Sequence, residues 1–193
     1  MRPTVWITGA SSGIGAALVK TFSSAGYKVA LTARGVDALE QLVSELPESA
    51  ETLIVAGDVT DREGMAAAAA EVAAWGNGIH ILCSQQDGIM IHTSSWAGRF
   101  HSPGSGAVYG ASKHALSDIS ASLNAEEGKN GIRSTALCPA EVATPLLAKR
   151  PGFDLSTLAA MIQPEDVAQT ALYVANMNPA VAVHEIVLAP VRK

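Results

Sequence analysis

The hydrophobic pattern switches period repeatedly along the chain. Thr4–Thr8 (TVWIT) is an apolar run of strand length, followed by glycines and then by a helical stretch over Gly13–Ser24. Lys28–Thr32 (KVALT) reads as a second strand, and Val36–Leu46 as a helix with Leu39, Leu42 and Val43 on one face. Leu53–Gly57 predicts a third strand and Asp61–Ala74 an alanine-rich helix. Two more strand-like runs, Ile79–Cys83 (IHILC) and Ile89–Thr93 (IMIHT), precede a long helix over Tyr109–Glu127. Arg133–Cys138 (RSTALC) is a strand and Pro164–Asn176 a helix. That helix has proline near its first position and Glu165 and Asp166 in its first turn, where the dipole favours acids. Val183–Leu188 closes the series. Strands alternating with helices predict an α/β fold: a Rossmann-like doubly wound parallel sheet, three layers deep, in a single domain over residues 1–193.

One step breaks the pattern. Only Cys83–Gly88 separate Leu82 from Ile89, whereas neighbouring parallel strands need a crossover of a dozen or more residues. Six residues suffice for a hairpin, which would reverse the next strand. A segment between the fourth and fifth strands is therefore expected to be missing near residues 83–88. Either the polypeptide carries a further piece at this point or the piece is deleted, and the crossover geometry favours the first. The flanking strands are then expected to lie parallel.

Composition changes the picture by exclusion. Of 193 residues, 48% are hydrophobic and 16% charged, with a net charge of −5, so the chain buries a large core and is far from disorder. The mild acidity offers no footprint for nucleic acid or anionic lipid. No apolar run approaches the roughly 18 residues of a membrane span. Neither nucleic acid nor membrane is expected as a partner. Cys83 and Cys138 make no disulfide framework, and the five histidines show no metal-ligand spacing. A strand beginning at Thr4 leaves no room for a cleavable signal peptide, and a cytoplasmic location is expected.

Two groups of residues carry candidate chemistry. Thr8-Gly9-Ala10-Ser11-Ser12-Gly13-Ile14-Gly15 lies between a strand and a helix. Glycines there let the backbone turn tightly and approach a ligand, and the helix N-terminus offers N–H groups to a pyrophosphate. Tyr109 and Lys113 lie four apart on a predicted helix and share a face. A free tyrosine has a pKa near 10, and a neighbouring ammonium favours its phenolate, moving it towards acid–base work.

Together these segments resemble the short-chain dehydrogenase/reductase family. TGASSGIG over Thr8–Gly15 is similar to that family's TGxxxGxG cofactor turn, and Gly57-Asp58-Val59-Thr60 to its acidic residue after the third strand. Tyr109-Gly110-Ala111-Ser112-Lys113 is similar to its YxxxK signature and Ser94-Ser95-Trp96-Ala97-Gly98 to its SSxAG segment. Pro139-Ala140-Glu141-Val142-Ala143-Thr144-Pro145 is similar to its PGxVxTP loop, with Ala140 where the family has glycine. The final strand lacks the DGG ending of many relatives.

The resemblance implies an oxidoreductase that interconverts a carbonyl and an alcohol on a small molecule by hydride transfer. Tyr109 would move the proton at the substrate oxygen, Ser95 rather than Ser94 would hold that oxygen, and Lys113 would also bind the nicotinamide ribose. Cofactor contacts would come from Gly9, Ser11, Ser12, Gly13, Ile14 and Gly15, from Asp58 and Val59 at the adenine, and from Pro139, Val142 and Thr144. The second strand ends Leu31-Thr32-Ala33-Arg34 with no acid, and Arg34 suits a 2′-phosphate, so NADP(H) is expected over NAD(H). A homo-dimer or homo-tetramer is expected. No residue here inherits the family's NNAG motif or helix asparagine. A true deletion would favour the alternative, a non-catalytic nucleotide-binding protein. A ketoreductase of carrier-bound acyl chains would want a basic docking patch larger than Lys149-Arg150. Trp96 and His114 read as packing or surface residues, and Pro145–Gln163 as a partly hydrophobic lid loop.

Overall fold

The computed structural model describes residues 2–81, 88–149 and 152–191. Strands β1 (Thr4–Thr8), β2 (Lys28–Thr32) and β3 (Glu51–Ile54) alternate with helices α1 (Gly13–Ser24), α2 (Val36–Ser44) and α3 (Arg62–Gly76). Strands β4 (Ile89–Thr93), β5 (Arg133–Pro139) and β6 (Glu185–Leu188) follow, with α4 (Ala107–Glu127) between β4 and β5. Short α5 (Pro145–Ala148) and α6 (Pro164–Ala175) lie between β5 and β6. Every pairing is parallel, running from Thr4↔Lys28 to Thr8↔Thr32 between β1 and β2 and from Ile89↔Arg133 to Thr93↔Leu137 between β4 and β5. Ile81 bridges Val5 on one side and Ile89 on the other, both in parallel sense. The spatial order is thus β3-β2-β1-Ile81-β4-β5-β6. This is the doubly wound arrangement that strand–helix alternation predicts.

Alternation along β1 explains the layers. Val5 and Ile7 enter one core with Val19 and Phe22 of α1, Leu39 of α2 and Val167 of α6. Trp6, between them, enters a second core with Ala68 and Val72 of α3. Each fully buried side chain such as Phe22 or Leu31 stabilises by about 1.5–3 kcal/mol. Helix α4 covers the same face as α3, against Ser134 and Cys138 of β5, while Leu137 between them points into the first core. Where β6 has not yet begun, the Asn124 amide completes the sheet: it accepts from the Ser134 N–H at 2.8 Å and donates to the Ser134 carbonyl at 2.7 Å. That contact fixes the far end of α4.

Several boundaries differ from the sequence expectation. Strand β3 occupies Glu51–Ile54 rather than Leu53–Gly57, because its register sets Glu51 opposite Lys28. Beyond it, Val55 and Gly57 still donate to Leu31 and Ala33 carbonyls, so the chain continues along β2. Helix α4 starts at Ala107, two residues before Tyr109, after Gly106 with φ +79°. The Pro145–Gln163 stretch is not a plain loop; it holds α5 and a 3-10 turn over Leu155–Ala160. Of the expected strand Ile79–Cys83, Ile81 pairs on both sides, while Leu82, Cys83 and the join to Gly88 lie outside the described residues.

Candidate active site

In a parallel sheet all carboxyl ends share one edge, and ligands bind there. Every candidate residue follows the carboxyl end of a strand or stands on the first turns of α4. The glycine turn leaves β1 with Gly9 at φ +67° and Gly13 at φ +56°, a region that L side chains avoid. A Cβ on Gly15 would overlap the Gly9 carbonyl oxygen, so α1 begins packed against the strand exit. The Ala10 N–H donates to the Thr32 carbonyl at 3.1 Å and ties the turn to β2. Ser12 is the N-cap of α1, yet its hydroxyl makes no cap bond, and the first amides of α1 have no side-chain cap.

After β2 and β3 stand Arg34, Asp58 and Val59, all on or near the surface. The Asp58 carboxyl accepts from the Thr60 N–H at 3.0 Å and the Thr60 hydroxyl at 2.8 Å. These bonds, with a smaller contribution from the Arg34 charge, hold its pKa below the usual carboxylate value.

A cleft of about 610 Å³ opens between the end of β4, the start of α4 and the loop after β5. Of the candidates, Ile14, Ser95, Tyr109, Lys113, Pro139, Val142 and Thr144 line it. The glycine turn adjoins its rim, since a Cβ on Gly13 would come within 3.2 Å of Thr144 Cγ2. Tyr109 is 44% exposed, and the Lys113 ammonium lies 5.8 Å from its ring centroid. Lys113 Nζ donates to the Thr93 carbonyl at 3.0 Å. The two serines differ. Ser94 is buried, its hydroxyl donating to the Lys113 carbonyl at 3.0 Å and lying 3.0 Å from Ser117 Oγ. Ser95 is half-buried, and its hydroxyl accepts from the Ala97 N–H at 3.2 Å.

The structure also brings in residues that the sequence reading set aside. Trp96 lines the cleft and packs on Phe100 with ring centroids 4.4 Å apart. Ser102–Ser105, Glu141, Leu146, Leu147, Ala189 and Pro190 complete the wall. An aromatic directly after Ser95 was the available signal for Trp96. His114 stays on the surface, its Nδ1 2.9 Å from the Gly110 carbonyl of its own helix. Cys138 lies beneath the cleft, and burial pushes its thiol up, away from nucleophilic use. Among the described residues no cluster of three or more His, Cys, Asp or Glu could hold a metal, and no helix is long and apolar enough to cross a membrane.

Comparison with known proteins agrees with this geometry. Residues 3–85 and 76–152 match the short chain dehydrogenase family, the two stretches overlapping over residues 76–85. The chain is 31% identical to glycine betaine reductase ATRR of Emericella nidulans, across 95% of this chain but 18% of that much longer protein. It is 30% identical to farnesol dehydrogenase of Aedes aegypti, covering 96% of this chain and 94% of the relative. That second alignment spans 235 positions, 42 more than the 193 residues of this chain, so the relative carries residues with no counterpart here. The fold superposes on an archaeal alcohol dehydrogenase from Thermococcus sibiricus complexed with 5-hydroxy-NADP, with a TM-score of 0.85 and 22% identity over 99% of this chain and 97% of that one. On the family match and the relatives alike, the chain belongs to the short-chain dehydrogenase family of oxidoreductases.

Proposed function

We propose that the chain is an NADP(H)-dependent oxidoreductase that interconverts a carbonyl and an alcohol on a small organic substrate through Ser95, Tyr109 and Lys113. The carrying observation is that these three residues line one cleft whose rim adjoins the glycine turn. A dinucleotide fits that turn: Gly15 leaves no space for a Cβ, and the α1 amides lack a side-chain cap. Gly9, Ser11, Ser12, Gly13, Ile14 and Gly15 would hold the pyrophosphate, Asp58 and Val59 the adenine, and Pro139, Val142 and Thr144 the nicotinamide end. Arg34, exposed and planar, would take the 2′-phosphate.

Bound there, the nicotinamide supplies or accepts the hydride. The Ser95 hydroxyl hydrogen-bonds the substrate oxygen and orients it. Tyr109 donates its phenolic proton to that oxygen in reduction and takes it back in oxidation. Lys113 contributes a fixed positive charge beside the phenol and a donor to the ribose. The short interval favours a non-catalytic nucleotide-binding protein as the second reading. The parallel run of Ile81 and Ile89, which leaves Ser95 and Tyr109 on one cleft, supports the catalytic one. A homo-dimer or homo-tetramer in the cytoplasm completes the proposal.

The test is Tyr109→Phe. Turnover of carbonyl substrates is expected to fall at least a hundredfold, on the order that general acid–base catalysis supplies, while NADPH binding survives. Unchanged turnover would remove the catalytic assignment and leave the binding protein.

A further inference from the structure

We infer that Ser94 is a positioning residue for Lys113, and that Ser94 and the Thr93 carbonyl clamp this lysine at both its ends. The inference rests on the reading of Lys113 as a cofactor-binding group of the cleft.

Two consecutive residues at the carboxyl end of β4 hold one residue of α4. The Thr93 carbonyl accepts from Lys113 Nζ at 3.0 Å, and the Ser94 hydroxyl donates to the Lys113 backbone carbonyl at 3.0 Å. Ser117, one turn further along α4, donates to the same carbonyl at 3.2 Å and lies 3.0 Å from Ser94 Oγ. Ser94 is 3% exposed, so these are shielded bonds in place of bonds to water. The approach depends on Gly98, where a Cβ would crowd both Ser94 Oγ and the Lys113 carbonyl.

A lysine ammonium rides on a flexible four-carbon stem, so its location is set only when both stem base and tip are held. Here the base is held by Ser94 and the tip by Thr93. Ser94 also borders the cleft, but its hydroxyl is committed to α4, whereas the Ser95 hydroxyl caps the following turn and stands at the cleft wall. The serine doublet therefore divides its work, one residue towards the ligand and the other towards Lys113. Both holds come from consecutive residues at the carboxyl end of β4.

The test is a double-mutant cycle read as NADPH affinity by fluorescence titration, with a thermal midpoint recorded for each protein. Lys113→Met is expected to weaken NADPH about tenfold, as the loss of one charge-assisted hydrogen bond does. Ser94→Ala is expected to weaken it several-fold in the wild-type background and less than twofold in the Lys113→Met background. Equal losses in both backgrounds, or no loss in the wild type, would overturn the inference while leaving Lys113's role intact. If Lys113→Met itself leaves NADPH affinity unchanged, the underlying reading of Lys113 fails and the inference with it. Should Ser94→Ala yield no folded protein, Ser117→Ala runs through the same cycle with the same criteria.

Discussion

Gly13 rests against Thr144: a methyl group built on the glycine would come within 3.2 Å of Thr144 Cγ2, and Gly13 already sits at φ +56°. The turn after β1 and the loop after β5 thus meet at a residue with no side chain. Gly13→Ala must adopt the left-handed region and push Thr144 outward. A loss of roughly 1–2 kcal/mol in unfolding free energy is expected from the backbone alone. NADPH affinity should fall as well. Denaturant unfolding and cofactor titration on the same preparation check both, and a fully wild-type variant would show that the two loops are not in contact.

Arg34 is expected to separate the cofactors. Only NADPH carries the 2′-phosphate, and charge-assisted bonds to phosphate are worth about 1.5–3 kcal/mol each. Arg34→Ala is therefore expected to weaken NADPH about 10- to 100-fold and NADH less than about twofold. Parallel titrations with the two cofactors measure the ratio, and equal losses would assign Arg34 to another contact.

Trp96 is expected to set the size of the substrate. It lines the cleft next to Ser95 and is braced by Phe100. Trp96→Ala should improve kcat/KM for bulky carbonyls relative to small ones by about 10- to 100-fold, the discrimination that apolar volume provides. A panel of aldehydes of increasing size reads this directly. A uniform change across the panel would make Trp96 a packing residue after all.

His92 gives the fold a pH dependence. Burial lowers its pKa below the ordinary value of 6.5, and its buried Nε2 has no hydrogen-bond partner among the described residues. The unfolded chain therefore binds a proton more readily than the folded one. Stability from this group is complete above about 6.5 and is lost as the pH falls through the window down to the folded pKa. Denaturation midpoints on either side of about pH 6 should show the decline, and His92→Gln should flatten it. A wild-type profile without slope in that window would contradict the burial argument.

The readable parts of the chain were those where local pattern and tertiary need agree. β1, α1 and β2 fall where the apolar runs and glycines put them, since TVWIT and KVALT are buried strands with nothing competing. β3 slipped because Leu53–Gly57 is the more apolar window, while pairing with Lys28–Leu31 selects Glu51–Ile54. No hydrophobic periodicity announces a four-residue helix such as α5. Within the candidate site, spacing singled out Tyr109 and Lys113, but the different hydrogen-bond partners of Ser94 and Ser95 emerge only when α4 is laid against β4. Trp96 was hidden for a related reason: a large aromatic beside a candidate residue reads equally well as core or as wall, and only the cleft places it on the wall.

Among the described residues, His80 and Ile81 join β1–β3 to β4–β6: the Trp6 N–H donates to the Ile81 carbonyl, the His80 and Ile81 N–H groups to the Thr4 carbonyl, and the Ile89 N–H to the His80 carbonyl. What spans them is α6, which follows β5 yet packs Val167, Ala171 and Val174 into the core beside Val19 and Phe22 of α1, and whose C-cap Asn176 accepts from the Tyr27 hydroxyl at 2.9 Å. The helix works as a strut across both halves. Side-chain packing of α6 thus adds to the sheet hydrogen bonds in setting the distance between the half that carries the glycine turn and the half that carries Tyr109. Trimming Val167 or Ala171 would act less on whether the protein folds than on how well its two halves are aimed at each other.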